Sequence, residues 1–372
     1  METVSGHTLD DSAKTLEEPT GRGCSFEQRY GGRGWRGRMS WKQLGGEGGG
    51  GWEARVRKSS LKGLLWDADN DGARKPLYDL NTVVDTEALT VMATTYAAER
   101  TIAITFISHE YARVGLNWVE AMRRLGWSNY LVIAGDIQTR QALDTLLVPY
   151  VEARVADGVT DATYVSPVGF TRKGLAMTAL KFPIVCALLH LGLSVIMSDA
   201  DAVWLKNPMT SIARWDVDVA FQRVVYFPKA IVGLWGFAAC TGFAFFRSTP
   251  GTIALLEACV NEHRGVQDDQ VAFNLALLGG DTRWIESVPR SGPERRRTEA
   301  NLISAFRQAA RRAIRGTTTE YGLDIMALPH HQFWRHDWLG VDRSEMVICH
   351  PNTPKDDREK MKRFEELGVR YA

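Results

Sequence analysis

Residues 195–208 read Val-Ile-Met-Ser-Asp-Ala-Asp-Ala-Val-Trp-Leu-Lys-Asn-Pro. An apolar run ends in Asp199 and Asp201, two carboxylates two residues apart, and Val203, Trp204, Leu205 and Pro208 follow. A continuously apolar run fits a strand buried on both faces of a sheet. Ligands of open α/β sheets bind outside the carboxyl ends of such strands. Two aspartates at that point suit a hard divalent cation that keeps positions open for substrate phosphates. An ion held there clamps a diphosphate and offsets the charge that develops as it leaves. The plain alternative for Asp-x-Asp is a pair of surface aspartates in a turn.

Working outward, the pattern of an α/β fold continues on both sides. Residues 102–107 (IAITFI) and 130–134 (YLVIA) read as buried strands. Between them Val114, Trp118, Ala121, Met122 and Leu125 recur at helical spacing, with Gly126 at the C-cap position. Residues 139–147 read as a short helix, and 173–191 as a longer apolar one, bent or broken at Pro183. Residues 193–198, 217–222 and 242–247 are further strands. Thr249 and Pro250 make an N-cap and N1 pair for a helix closing at Gly265. A second helix spans 268–278, and 323–328 and 346–349 are late strands. Alternating strands and helices imply a mostly parallel central sheet flanked by helices. A stretch at 290–315 carries eight arginines and two glutamates. Within it Ala300, Leu302, Ile303, Phe306, Ala310 and Ile314 keep an amphipathic helical period, read as a solvated helix face or as a basic rim for an anionic substrate.

The chain has 372 residues, with 45 Lys and Arg against 44 Asp and Glu. This balance removes a chain-wide electrostatic case for nucleic acid or acidic membrane, so no specific nucleic acid is expected. Residues 21–51 hold 12 glycines interspersed with arginines. Such a stretch buries too little apolar surface to offset its ordering entropy, so 1–75 is expected to be a disordered Gly/Arg-rich tail and 76–98 a linker. Residues 67–72 match half of a calcium loop, but the twelfth position is Tyr78 instead of the required Glu. The first 30 residues lack an apolar signal core. The uncharged runs 182–198 and 230–246 are 17 residues each, short of the ~20 that span a membrane, and are read as core. Five cysteines without metal spacing, in mostly apolar surroundings, are expected to be free thiols.

The stretch VIMSDADAVWLKNP resembles the Asp-x-Asp segment of the nucleotide-diphospho-sugar transferases, specifically glycosyltransferase family 77, which builds plant and algal cell-wall glycans. The likeness continues in order through residues 173–192, Thr241-Gly242-Phe243, Asp268-Asp269-Gln270-x-x-Phe273-Asn274, and His350-x-Asn352 followed by Lys355. It covers about residues 100–365. Two departures stand out: Pro351 follows His350, and Pro354 replaces the glycine before the closing lysine. The resemblance implies a GT-A type α/β catalytic domain over 99–368, a UDP-sugar donor, a Mn²⁺ or Mg²⁺ ion, a glycan or glycoprotein acceptor, and transfer with retention. It also implies a Golgi lumenal location, although neither a leader nor an anchor is visible.

By the same resemblance Asp199, Asp201 and His350 hold the metal, with Asp199 also facing the donor. Ser108 and Asp136 line the uridine pocket, Thr241 and Gly242 leave room for the donor sugar, and Lys355 meets phosphate. Asp269 and Gln270 hold sugar hydroxyls or face the anomeric carbon. Each has a plainer reading: His350 as a packed histidine, Asp268 and Asp269 as helix-start carboxylates, Thr241 and Gly242 as a bulge. Trp334 and Trp338 are read either as sugar-stacking or as core. Two other functions compete: a haloacid dehalogenase-type phosphatase built on Asp199 and Asp201, and a non-catalytic nucleotide- or glycan-binding protein of the same fold.

Overall fold

The computed structural model describes residues 84–153, 172–266, 268–285, 311–335, 342–352 and 356–372. The first part of the chain forms α1 (Thr86–Tyr96), β1 (Thr101–Ile107), α2 (Ala112–Arg124), β2 (Tyr130–Ala134), α3 (Ile137–Thr145) and β3 (Tyr150–Glu152). The middle forms α4 (Arg172–His190), β4 (Ser194–Ser198), β5 (Val203–Trp204), α5 (Met209–Ile212), β6 (Val219–Val224), α6 (Lys229–Trp235) and β7 (Ala238–Phe246). The last part forms α7 (Pro250–Val266), α8 (Asp269–Gly279), β8 (Thr282–Trp284), β9 (Ile314–Thr318), β10 (Leu323–Ala327), β11 (Phe333–Trp334), β12 (Ile348–Cys349) and α9 (Asp357–Glu366).

The expected α/β class is observed. Nine strands make one sheet in the order β3-β2-β1-β4-β7-β6-β10-β9-β8. From β3 to β4 every pair is parallel, and beyond β4 only β6 and β10 are. β4 therefore stands where the parallel half meets the antiparallel half, and its carboxyl end opens at that change of direction. Alternate residues of β1 face opposite ways: Ile102 and Ile104 join the core under α1, α4, α7 and α8, while Ala103 and Ile107 join the core under α2 and α9. A second sheet, β11-β12-β5, belongs to the latter side.

Several expectations are corrected. The 76–98 linker contains α1, capped by the Asp85 carboxylate on the Ala88 N–H (2.9 Å) and anchored by buried Leu89 and Ala93. α4 runs unbroken through Pro183. Phe182, Ile184 and Val185 are wholly buried there, so packing holds the helix against the lost hydrogen bond. Ile314, read as the end of a helix, begins β9, an inner strand between β10 and β8. Packed structure reaches past 368: Val369 is buried, and Asn117 accepts the Tyr371 and Ala372 N–H groups.

Other readings hold. Thr249 caps α7 through the Thr252 N–H. Cys186, Cys240, Cys259 and Cys349 are buried and in no disulfide among the described residues. No helix among the described residues is long and apolar enough to cross a membrane. The Gly/Arg tail, the half calcium loop, Trp338, Lys355 and most of 290–315 lie outside the described residues.

Candidate metal and donor site

β4 ends at Ser198, and the chain turns at once. The Asp199 N–H donates to the Gly242 carbonyl on β7 (2.8 Å), which adds one rung to the β4–β7 ladder. The Ala202 N–H then returns to the Asp199 carbonyl (3.0 Å). Ser198 explains the serine ahead of the first aspartate. Its buried hydroxyl accepts the indole N–H of both Trp118 and Trp204, each at 3.1 Å. Trp204 lies on β5, so that contact draws the strand after Asp201 back against the sheet.

β5 then recruits the histidine. Cys349 of β12 pairs with Val203 of β5, which sets His350 beside Asp201. One ligand atom each from Asp199, Asp201 and His350 lie within 4.8 Å of one another. His350 Nε2 is 3.2 Å from Asp201 Oδ1. It is buried and has no hydrogen-bond partner. Burial first, and the nearby Arg335 second, pull the imidazole down to about 4, against the opposing pull of Asp201. A neutral histidine thus faces a carboxylate at 3.2 Å, a spacing that two ligands of one cation could share. The two carboxylates fit a hard ion such as Mn²⁺ or Mg²⁺, and the added imidazole favours the transition metal Mn²⁺ of the two.

The Thr-Gly-Phe segment is a bulge, and the bulge builds the site. Along β6 and β7, Phe221 pairs with Ala244 but Gln222 pairs with Cys240, so residues 241–243 stand out of that ladder. Such a device re-aims side chains next to functional sites. A Cβ at Gly242 would lie 2.1 Å from His350 Cε1, 2.8 Å from its Nδ1 and 3.0 Å from Asp199 Oδ2. The space that glycine leaves is filled by the histidine ring, where sequence reading had placed the donor sugar.

A second cluster shares Asp199. Lys181 of α4 places its Nζ 2.6 Å from Asp199 Oδ1 and 2.7 Å from Asp269 Oδ2; Lys181 and Asp269 are buried and Asp199 is half-buried. Burial opposes the ammonium, but the two carboxylates outweigh it and hold Lys181 above its ordinary range. Burial likewise opposes the Asp269 charge. The Lys181 ammonium and a hydrogen bond from Thr241 outweigh it, and Asp269 stays below the usual carboxylate range. Asp268 is the N-cap of α8 (Val271 N–H, 2.9 Å) and Asp269 its first residue. The helix-start reading of these aspartates holds, and Asp269 in addition shares Lys181 with Asp199.

The remaining candidates play supporting parts. Gln270 donates its amide to the Phe227 carbonyl (2.6 Å), away from the carboxylate cluster. Asp136 caps α3 through the Thr139 N–H and accepts the His109 N–H, both at 2.8 Å. It thereby ties the loop after β1 to the loop after β2. Ser108 is buried at the start of that first loop. Tyr111, three residues on, has a buried hydroxyl without a hydrogen-bond partner. Burial, then Asp201 and Asp199, push its ionisation up. Trp334 fills the core.

Sequence reading missed Lys360, Arg335 and Gln222. Lys360, on α9, is wholly buried and pairs with Asp201 Oδ2. The signal was available: Lys360 sits in a helix beside buried, apolar Met361 and Phe364. Arg335 follows β11 and donates to the His350 carbonyl (3.2 Å). Gln222 bonds His350 Nδ1 through its Oε1 (2.8 Å).

Residues 126–364 match the family described as nucleotide-diphospho-sugar transferase. A beta-arabinofuranosyltransferase of Arabidopsis thaliana is 29% identical over 202 residues, 50% of this chain and 36% of that protein. Two arabinosyltransferases of the same plant are each 33% identical, one over 134 residues (36% and 20% of the two chains) and one over 180 (43% and 40%). The chain thus spans between a fifth and two fifths of these curated relatives. Among solved structures, mouse xyloside xylosyltransferase 1 superposes with a TM-score of 0.34 at 13% identity, covering 48% of this chain and 81% of that one. A galactosyltransferase solved with donor and acceptor sugar analogues gives 0.36 at 10% identity, covering 71% and 94%.

Proposed function

Because the chain belongs to the nucleotide-diphospho-sugar transferase family, we propose that it is a metal-dependent glycosyltransferase. It moves a sugar from a UDP-sugar donor to a glycan or glycoprotein acceptor, with retention of configuration, in the Golgi lumen. The names of the relatives favour a pentosyl group, arabinosyl first. Family membership supports a transferase over the phosphatase alternative. One observation carries the reading: Asp199, Asp201 and the buried, unpartnered Nε2 of His350 converge at the end of the central strand.

In this reading Asp199, Asp201 and His350 hold Mn²⁺ or Mg²⁺. The ion would supply charge compensation to the diphosphate leaving group. Ser108 and Tyr111 line the nucleotide side, with Asp136 holding their loop in place. Lys355, in the segment between His350 and α9, and Arg335 supply positive charge for phosphate. Asp269 presents a carboxylate kept ionised by Lys181 and Thr241. It orients the donor sugar through hydroxyl hydrogen bonds, while Gln270 steadies the loop at Phe227. Lys181 ties the metal carboxylate to the sugar carboxylate through 2.6 and 2.7 Å contacts, so a shift at either is felt at the other.

The test is UDP release from a panel of UDP-sugars, with and without Mn²⁺, by the full chain and by Asp201→Ala. Mn²⁺-dependent release from one donor, lost in the variant, supports the proposal and names the sugar. Tight UDP binding without turnover, with or without a glycan acceptor, would instead support the non-catalytic binding protein.

A further inference from the structure

Gln222 is wholly buried on β6, where the ladder to β7 is interrupted. Its amide nitrogen donates to two main-chain carbonyls of β11, Phe333 O at 3.0 Å and Trp334 O at 2.9 Å. Carbonyl oxygens only accept, so those two bonds use both amide hydrogens and decide which way the amide faces. Its Oε1 is left pointing at His350 Nδ1, 2.8 Å away. An amide oxygen carries no hydrogen, so the proton of that bond resides on Nδ1. In the neutral ring Nε2 then bears a lone pair. This is the nitrogen that lies 3.2 Å from Asp201 Oδ1 with no hydrogen-bond partner.

The ring is held from other sides as well. The His350 N–H donates to the Trp334 carbonyl (3.0 Å). Trp334 is thus bonded to both Gln222 and His350. Gly242 allows the ring to lie against β7. Metal-bound histidines commonly have their tautomer set by the bond the other ring nitrogen makes. Here the acceptor is a side-chain amide whose own orientation is fixed by β11.

We infer that Gln222 is a positioning residue that fixes His350 in its Nδ1–H tautomer and so aims the Nε2 lone pair at the cation site. The inference rests on the reading of Asp199, Asp201 and His350 as that site. A merely structural role, tying β6 to β11, would leave the tautomer of His350 indifferent to residue 222.

The decisive experiment uses the full chain labelled with ¹⁵N at histidine, without metal. Long-range proton–nitrogen correlation spectra read each ring's tautomer, and His350→Gln identifies the His350 signals. Wild-type protein is expected to show a protonated Nδ1 and an unprotonated Nε2 at His350. Gln222→Met, similar in volume but without the acceptor, is expected to lose that single form and to bind Mn²⁺ about 10–100-fold more weakly. A wild-type Nε2–H signal at His350 overturns the inference whether or not the variant folds. So does a folded Gln222→Met protein with the wild-type tautomer and Mn²⁺ affinity. A wild-type chain with the Nδ1–H form that takes up no Mn²⁺ upholds Gln222's control of the ring and sinks the cation reading instead.

Discussion

Replacing Gly242 by alanine tests whether His350 must occupy its observed position. Gly242 does not have a positive φ, so alanine meets no backbone penalty and its effect is purely steric. The added Cβ would lie 2.1 Å from His350 Cε1, against the 3.4 Å at which ordinary contact begins, a shortfall of 1.3 Å. The ring cannot yield freely, because Gln222 holds its Nδ1 and Trp334 its main chain. Backing the other way brings β7 against Asp199, whose Oδ2 is 3.0 Å from the same Cβ. Overpacking of this kind costs about 1–3 kcal/mol of stability. A ring displaced by an ångström no longer aims at the cation, so Mn²⁺ affinity is expected to fall at least about 10-fold, toward 100-fold. Isothermal titration with Mn²⁺ reads the affinity and thermal unfolding reads the stability. An alanine variant with unchanged melting temperature and unchanged Mn²⁺ affinity would refute the packing argument, since it would mean that the ring is mobile or that it does not touch the ion.

Four further outcomes are expected. Lys181→Met leaves the buried carboxylate of Asp269 and the half-buried one of Asp199 without their shared counter-ion and should lower stability by about 3 kcal/mol, read by denaturant unfolding. In the wild type the raised Lys181 contributes stability fully present below its unfolded value of about 10.4 and lost only as pH rises through its higher folded value. The depressed Asp269 contributes above about 3.9 and loses that contribution as pH falls through its lower folded value, so neither Lys181 nor Asp269 should produce a change in melting temperature between pH 5 and 9. Ser198→Ala strands two buried indole N–H groups and should cost about 1–3 kcal/mol for each, seen as a fall in the unfolding midpoint. Cys186, pushed up to about 12 by burial and then Glu257, and the fully buried Cys259 should resist thiol reagents at pH 8 until the chain unfolds, which labelling against urea concentration will show.

The parts of the fold legible in the sequence are those governed by local pattern. The strand before Asp199 is a continuous apolar run because it is covered on both faces. Thr249 and Asp268 announce their helices through side chains that cap their own backbone. Other features depend on residues far apart in the chain. β7 begins at Ala238, before the expected 242, because the small residues of its first half are recruited by β6 and not by their own propensity. β9 follows a helical-looking period yet pairs with β10 and β8. Two metal-ligating candidates were legible as a pair two residues apart, and His350 as part of an ordered set. The groups that tune them were not: Gln222 reaches His350 across 128 residues, and Lys360 reaches Asp201 across 159. Periodicity carries no trace of such contacts. Asp136 was legible as a polar residue at a strand end, but its work is to cap one helix and hold the neighbouring loop.

The central claim is that Asp199, Asp201 and His350 together bind a divalent cation. Electron paramagnetic resonance of free Mn²⁺, titrated with the full chain in the presence of UDP, tests it most directly. The account expects wild-type protein to remove about one equivalent of the free signal and Asp201→Asn and His350→Gln to remove far less at the same concentration. A wild-type chain that leaves the signal untouched, or variants that quench it as fully as wild type, would contradict the claim.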